Sequence, residues 1–313
     1  MPDLTPRQEE IGSELLLLGE ERPAPDRALG RALRERARVE LSAVSAGLPM
    51  GHKVLANKHR LSQAHTCPGY LRASDGDFAW TVKNVRGRVV HRAIEGLIMS
   101  GYRRPPLALA QAAIDELVAD DGGSGSAGEL LRDLSEGQRQ DLVRDVNDVL
   151  VKLLADWPPI VDAWLPRVES QARFSVDKIW LRAQFDLALG VPSGSTARTF
   201  IVDFKSGEPR PAHRDDARFY AVVETLRSLT PPYRVATYYV DSGDWEADDV
   251  DAPFLEEAWA WVMEGIRRIV AVESDAELTM EPGETCHWCP ARDECADGQE
   301  WLAAFRPRRS AVP

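Results

Sequence analysis

The sequence has no apolar run near the ~20 residues that a membrane-spanning helix needs, so no membrane partner is expected. Its first residues, MPDLTPRQEE, lack the basic flank and apolar core of a secretory signal, and a cytoplasmic protein is expected. A Walker-type phosphate loop is missing, which excludes an ATPase or helicase motor within these 313 residues. No internal repeat is present. Aromatics are scarce at 7%, and cysteine is scarcer, with four residues. In a cytoplasmic setting four cysteines do not make a disulfide framework, and metal ligation is the better reading.

Positive charge is also in deficit, with 38 Lys/Arg against 50 Asp/Glu and a net charge of −12. That sum argues against a polyanionic partner, but distribution matters more than the total. Between His52 and Arg104 there are 10 Lys/Arg and 3 Asp/Glu, a local balance of +7 against −19 for the remainder. Such a stretch is either a solvated helical face or a phosphate groove in a protein that repels nucleic acid elsewhere.

What is present is enough apolar content, 44% over 313 residues, for one sizeable core and an appendage. Residues 1–56 read as a charged, proline-punctuated extension, helical and partly mobile, with an amphipathic candidate at DRALGRALRERARVELSAVSAG. Residues 57–164 read as helical: GRVVHRAIEGLIM puts Val89, Val90, Ala93, Ile94 and Leu97 on one face. DDGGSGSAG (120–128) is a flexible loop by composition, and helix resumes over 129–157. Over 165–280 the pattern changes to short β-branched and aromatic segments: RVESQARFSV, IWLRAQFDLALG, TARTFIVDFKSG and YRVATYYVD. Helical patterns at 213–229 and 253–273 are interleaved with them, so an α/β or α+β domain of about four or five strands is expected. Residues 281–313 carry three of the cysteines.

Two acids stand in apolar β-like sequence, Asp186 in AQFDLAL and Asp203 in FIVDFK. Burying a carboxylate demands a compensating cation. Asp203 and Lys205 fall on one face of their strand and Phe204 on the other. The acids and lysine are either a structural ion pair or a hard-cation site, Mg2+ or Mn2+, beside an ammonium that can serve a water.

The ordered set GRVVHRAIE (87–95), VESQARF (168–174), FDLAL (185–189), VDFKSG (202–207) and DDARFYAVV (215–223) resembles the PD-(D/E)XK nucleases. More narrowly it is similar to the RecB-type domain and the CRISPR-associated adaptation exonucleases. The resemblance implies a restriction-endonuclease-like core, a mixed sheet flanked by helices. By that likeness His91, Asp186, Asp203 and the Phe204 carbonyl hold the metal, Lys205 is the catalytic lysine, and Tyr220 is the helix tyrosine near DNA. Glu169 matches an acid one strand earlier, and reads otherwise as an ion-pair partner. Two departures are plain: Asp216 stands where the family's helix has Gln, and Arg182 or Ala183 where it has Gly before the strand acid. Asp216 thereby becomes a further candidate at the metal.

HTCPGYL (65–71) precedes this core and CHWCPARDEC (286–295) follows it. One cysteine upstream and three clustered downstream resemble the iron–sulfur staple of the same subfamily. The likeness makes Cys67, Cys286, Cys289 and Cys295 ligands of a structural 4Fe-4S cluster, with Zn2+ as the alternative soft-metal reading. His65, His287 and Trp288 are expected to pack around it.

The function implied is an Mg2+- or Mn2+-dependent deoxyribonuclease, an exonuclease on single-stranded or frayed DNA ends. Lys83, Arg86, Arg88, Arg92, Arg103 and Arg104 would track phosphates. The rival readings are an inactive DNA-binding subunit of a repair or defence complex, and a nuclease subunit that depends on a separate helicase or CRISPR integrase.

Overall fold

A computed structural model describes residues 4–20, 24, 26–74, 80–120, 123, 125–191 and 199–305. The helices are α1 (Pro6–Glu10), α2 (Arg27–Ser45), α3 (Lys58–Thr66), α4 (Pro68–Ala73), α5 (Val82–Met99), α6 (Pro106–Ala119), α7 (Ala127–Asp133), α8 (Glu136–Asp156), α9 (Pro211–Ser228), α10 (Ala252–Glu273) and α11 (Ala296–Ala304). The strands are β1 (Val54–Ala56), β2 (Arg167–Val176), β3 (Ile179–Leu189), β4 (Phe200–Lys205), β5 (Arg234–Tyr239) and β6 (Trp245–Asp249). Among the described residues no helix is long and apolar enough to cross a membrane.

The chain forms two compact units, each assembled from three stretches of sequence. Packing thus brings together stretches that are distant along the chain.

The first unit holds the larger core. Strand β3 pairs antiparallel with β4 (Leu187↔Val202), β4 parallel with β5 (Asp203↔Thr237), and β5 antiparallel with β6. The parallel pair is joined by the crossover helix α9, as parallel strands require. Strand β4 is buried along nearly its whole length, as expected where both faces of a strand are covered. Phe204 turns one way, into a core with Trp157 and Tyr238 whose rings meet it edge-on. Asp203 and Lys205 turn the other way, toward α9.

Val89, Val90, Ala93, Ile94 and Leu97 of α5 line this core, on the face that the periodicity selects. Thr81 caps α5 in a capping box with Asn84, and Ser135 caps α8 in one with Gln138. The helix expected over 129–157 is two helices. Leu134 leaves the helical region (ψ 135) and Ser135 starts α8 afresh. Of the loop expected at 120–128, residues 121, 122 and 124 lie outside the described residues, and α7 begins at Ala127. Strands β1 and β6 were not read from the sequence, because VLA is too short and WEADD too acidic to show a strand pattern.

The N-terminal residues belong to this core. Ile11, Leu15 and Leu16 are fully or nearly fully buried in it. The Gln8 amide donates to the carbonyls of Leu154 (2.9 Å) and Trp157 (3.0 Å), answering groups that the end of α8 leaves open.

In the second unit β1 runs parallel to the start of β3 (Leu55↔Trp180). Helix α3 meets α10, where a Cβ at Gly265 would lie 2.7 Å from the Leu61 side chain. Glu273 accepts from His52 (2.7 Å) and from Arg60, and Arg268 reaches the Ala64 carbonyl and Glu281.

Ile11→Ala is expected to cost about 2–5 kcal/mol, the usual range for emptying a buried aliphatic site. Denaturant unfolding measures it, and a cost below about 1 kcal/mol would show that these residues are peripheral to the core.

Candidate functional site

Three elements of the first unit bring the first group together. Helix α5 presents His91, β3 presents Asp186 and β2 presents Glu169. One ligand atom from each lies within 4.8 Å of the others, a spacing at which they could hold a metal ion. His91 Nδ1 is 3.1 Å from Asp186 Oδ1. The other oxygen of Asp186 accepts the main-chain N–H of Phe204 at 2.7 Å, so β4 fixes its rotation. What Phe204 brings to this group is that N–H.

Glu169 has a left-handed backbone, φ 47, which costs a non-glycine residue of order 1 kcal/mol. Its carboxylate accepts from the Gln184 amide, two residues before Asp186 and on the same face of β3. A cleft of about 140 Å3 opens beside the group, lined by Arg88, His91, Arg92, Glu95, Glu169 and Gln184. Burial holds the Glu95 carboxyl above its ordinary value; Arg92 opposes that rise and the Glu169 charge adds to it.

The second group lies where β4 meets α9. Asp203 is fully buried. The Tyr220 hydroxyl donates to its Oδ1 at 2.9 Å, and Lys205 Nζ stands 2.7 Å from its Oδ2. The same Nζ donates to Asp216 Oδ2 at 2.7 Å. Burial and the Asp203 charge push the Tyr220 phenol well up, so it stays protonated and donating. His213 and Tyr239 stand beside this group, His213 Nδ1 lying 3.3 Å from the Tyr239 hydroxyl.

The basic residues of α5 divide. Arg86 pairs with Asp145 and Asp241, and Asp241 also accepts the N–H of Gly207 just after β4. Arg92 pairs with Asp120 at 2.9 Å and with Glu95 at 3.4 Å. These two arginines position protein groups. Lys83 and Arg88 of α5 are exposed, as are Arg103 and Arg104 beyond its end.

In the second unit Cys67, Cys286, Cys289 and Cys295 are free thiols lining one cavity of about 460 Å3. Main-chain N–H groups of Glu281, Gly283 and Gly298 donate to the sulfurs of Cys67 (3.5 Å), Cys286 (3.4 Å) and Cys295 (3.4 Å). A Cβ at Gly298 would stand 3.4 Å and 3.5 Å from the Cys295 and Cys286 sulfurs, so glycine gives the cage room. Burial pushes the Cys289 thiol up, and the other three cysteines add to the shift. Among the described residues no three cysteine sulfurs lie within 4.8 Å of one another. Of the residues expected to pack around the cage, His65 stacks on Trp261 (4.5 Å) and His287 meets Trp301 edge-on. Trp288 is 63% exposed; its place in a short turn leaves the ring uncovered.

Gln184, His213 and Tyr239 were not singled out by sequence. Spacing held a signal for the first two, since Gln184 precedes Asp186 by two on a strand and His213 precedes Asp216 by three on a helix. Tyr239 is placed by register, opposite Lys205.

Burial first, and then the Lys205 ammonium, hold the His213 imidazole below its ordinary value of 6.5. The unfolded chain therefore binds more protons than the folded one in mild acid, so the stability that neutral His213 contributes falls away as pH drops through about 6.5. The thermal midpoint of metal-free protein should fall between about pH 7.5 and 5.5, and fall less in His213→Gln. An equal fall in both proteins would remove His213 as the source.

A family model of the PD-(D/E)XK nuclease superfamily matches residues 57–296. No curated relative matches the sequence. Among solved structures, the crystal structure of SSO0001 is similar over 77% of this chain and 94% of that one, at 10% identity with a TM-score of 0.30, a likeness too loose to carry an inference.

Proposed function

The chain belongs to the PD-(D/E)XK nuclease superfamily, and from that premise we propose that it is an Mg2+- or Mn2+-dependent deoxyribonuclease, an exonuclease on single-stranded or frayed DNA ends. The observation that carries the reading is the approach of His91, Glu169 and Asp186 to within 4.8 Å of one another at the edge of a cleft. An imidazole and two carboxylates suit a divalent cation.

The residues that would hold it are His91, Asp186 and Asp203, with the Phe204 carbonyl as a main-chain ligand and Glu169 added on its geometry. When bound, such a cation supplies Lewis acidity to a phosphoryl oxygen and acidifies water. Lys205, anchored by carboxylates, orients a water or offsets charge on the phosphate as it builds. Tyr220 and the Phe204 N–H hold the two strand acids in fixed rotations, so the site is organised before substrate arrives. Lys83 and Arg88, exposed on α5, meet the DNA backbone. RecB-type chemistry and preference for DNA ends rest on the resemblance of the ordered motifs.

The four cysteines are proposed to hold a structural 4Fe-4S cluster. Four cysteines around one cavity of about 460 Å3 suit a larger inorganic core. The N–H groups aimed at three of them suit it as well, since such donors tune cluster sulfur. Its role is to tie Cys67 to the C-terminal cysteine segment, a clip across more than two hundred residues.

End-labelled single-stranded DNA incubated with anaerobically purified protein and Mn2+ tests the activity. Asp203→Asn and Lys205→Met should each lower cleavage by about 100-fold or more while leaving iron content unchanged. Tight DNA binding without cleavage in any DNA form would favour an inactive binding subunit. Cys295→Ala should lose iron and its visible absorbance and lower the thermal midpoint. One equivalent of zinc, with no iron, in the anaerobically purified protein would replace the cluster by a single-metal site.

A further inference from the structure

Lys205 stands between two carboxylates, 2.7 Å from Asp203 Oδ2 and 2.7 Å from Asp216 Oδ2. All three are sheltered, with side-chain exposures of 16% for Lys205, 0% for Asp203 and 14% for Asp216. Asp203 accepts from Tyr220 on one oxygen and faces Lys205 with the other. An ammonium held on that oxygen repels a divalent cation that approaches it. An ammonium pushed off it in a sheltered site must find another anion or lose its pairing.

The geometry points to Asp216 as a positioning residue that gives Lys205 this second anchor. When a cation takes up that oxygen of Asp203, Lys205 moves its charge onto Asp216 without leaving the site. A carboxylate does this and a neutral amide does not, which gives a physical meaning to an acid where the resembled family has Gln. The inference rests on the proposed role of Asp203 as a metal ligand and adds a residue that regulates its availability.

Mn2+ titration by calorimetry on the full chain reads the effect without cleavage. Asp203→Asn should weaken Mn2+ binding, and Asp216→Asn should weaken it by about tenfold. Asp216→Glu, which keeps the carboxylate, should stay within about threefold of the unaltered protein. The decisive comparison is the Lys205→Met background. There the ammonium is gone, and adding Asp216→Asn should change Mn2+ affinity by less than about twofold.

Equal weakening by Asp216→Asn with and without Lys205 would mean that Asp216 acts directly on the cation, and would overturn the proposal. Unaltered affinity in Asp216→Asn, with its thermal midpoint preserved, would overturn it as well. In both cases the metal site stands if Asp203→Asn weakens binding. Unaltered Mn2+ affinity in Asp203→Asn would instead remove Asp203 from the ligand set, and the anchor role of Asp216 with it.

Discussion

A fully buried carboxylate remains an anion only where the fold answers it, and the centre of the first unit is organised around answering Asp203. The lysine two residues along the same strand supplies charge, and the tyrosine of the crossover helix supplies a hydrogen bond. Both need β4 and α9 in fixed register, and the parallel β4–β5 pair gives α9 its crossover path. The opposite face of β4 is given to Phe204, wedged among Trp157 and Tyr238. The alternation of one strand thus divides the unit into an apolar side and a charged side. Sliding β4 by one residue would bury Lys205 in the core and turn Phe204 toward the acids.

Much of this was legible in the residues, because it follows from period and polarity. The order Asp, Phe, Lys in an apolar run already fixed which side chains share a face, and the periodicity of α5 already separated His91 from Val89, Val90 and Leu97. What could not be read were relations that depend on register between distant segments. Glu169 stands out in the sequence only through the likeness of its motif, and its contact with His91 and Asp186 depends on the pairing of β2 with β3 and on its own left-handed backbone. The pairing of Lys205 with Asp216 likewise depends on how α9 lies against β4. A break such as the one at Leu134 escapes periodicity altogether, because both flanking segments keep the same apolar spacing.

The positive stretch shows how a charge sum misleads when partners are far off in sequence. Counted along the chain, α5 is strongly basic. In the fold Arg86 and Arg92 are claimed by acids from other elements, so the field near His91 comes from fewer cations than the count suggests. Arg86 acts through Asp241 on the turn after β4, the same carboxylate gripping α5 on one side and the N–H of Gly207 on the other. A cation that tracks nucleic acid must be exposed, and burial selects differently from composition.

The contact made by Gln8 has a bearing on how the chain is made. Its partners at the end of α8 lie 146 and 149 residues further along. During synthesis α1 leaves the ribosome early and has nothing to cap until α8 has emerged and coiled. Until then Ile11 and Leu15 lack the α8 part of their core, so the nascent chain carries an exposed apolar segment while the residues up to the end of α8 are made. The last step in closing the helical layer therefore belongs to residues made well before their partners, and the first unit matures as a whole rather than stepwise along the chain.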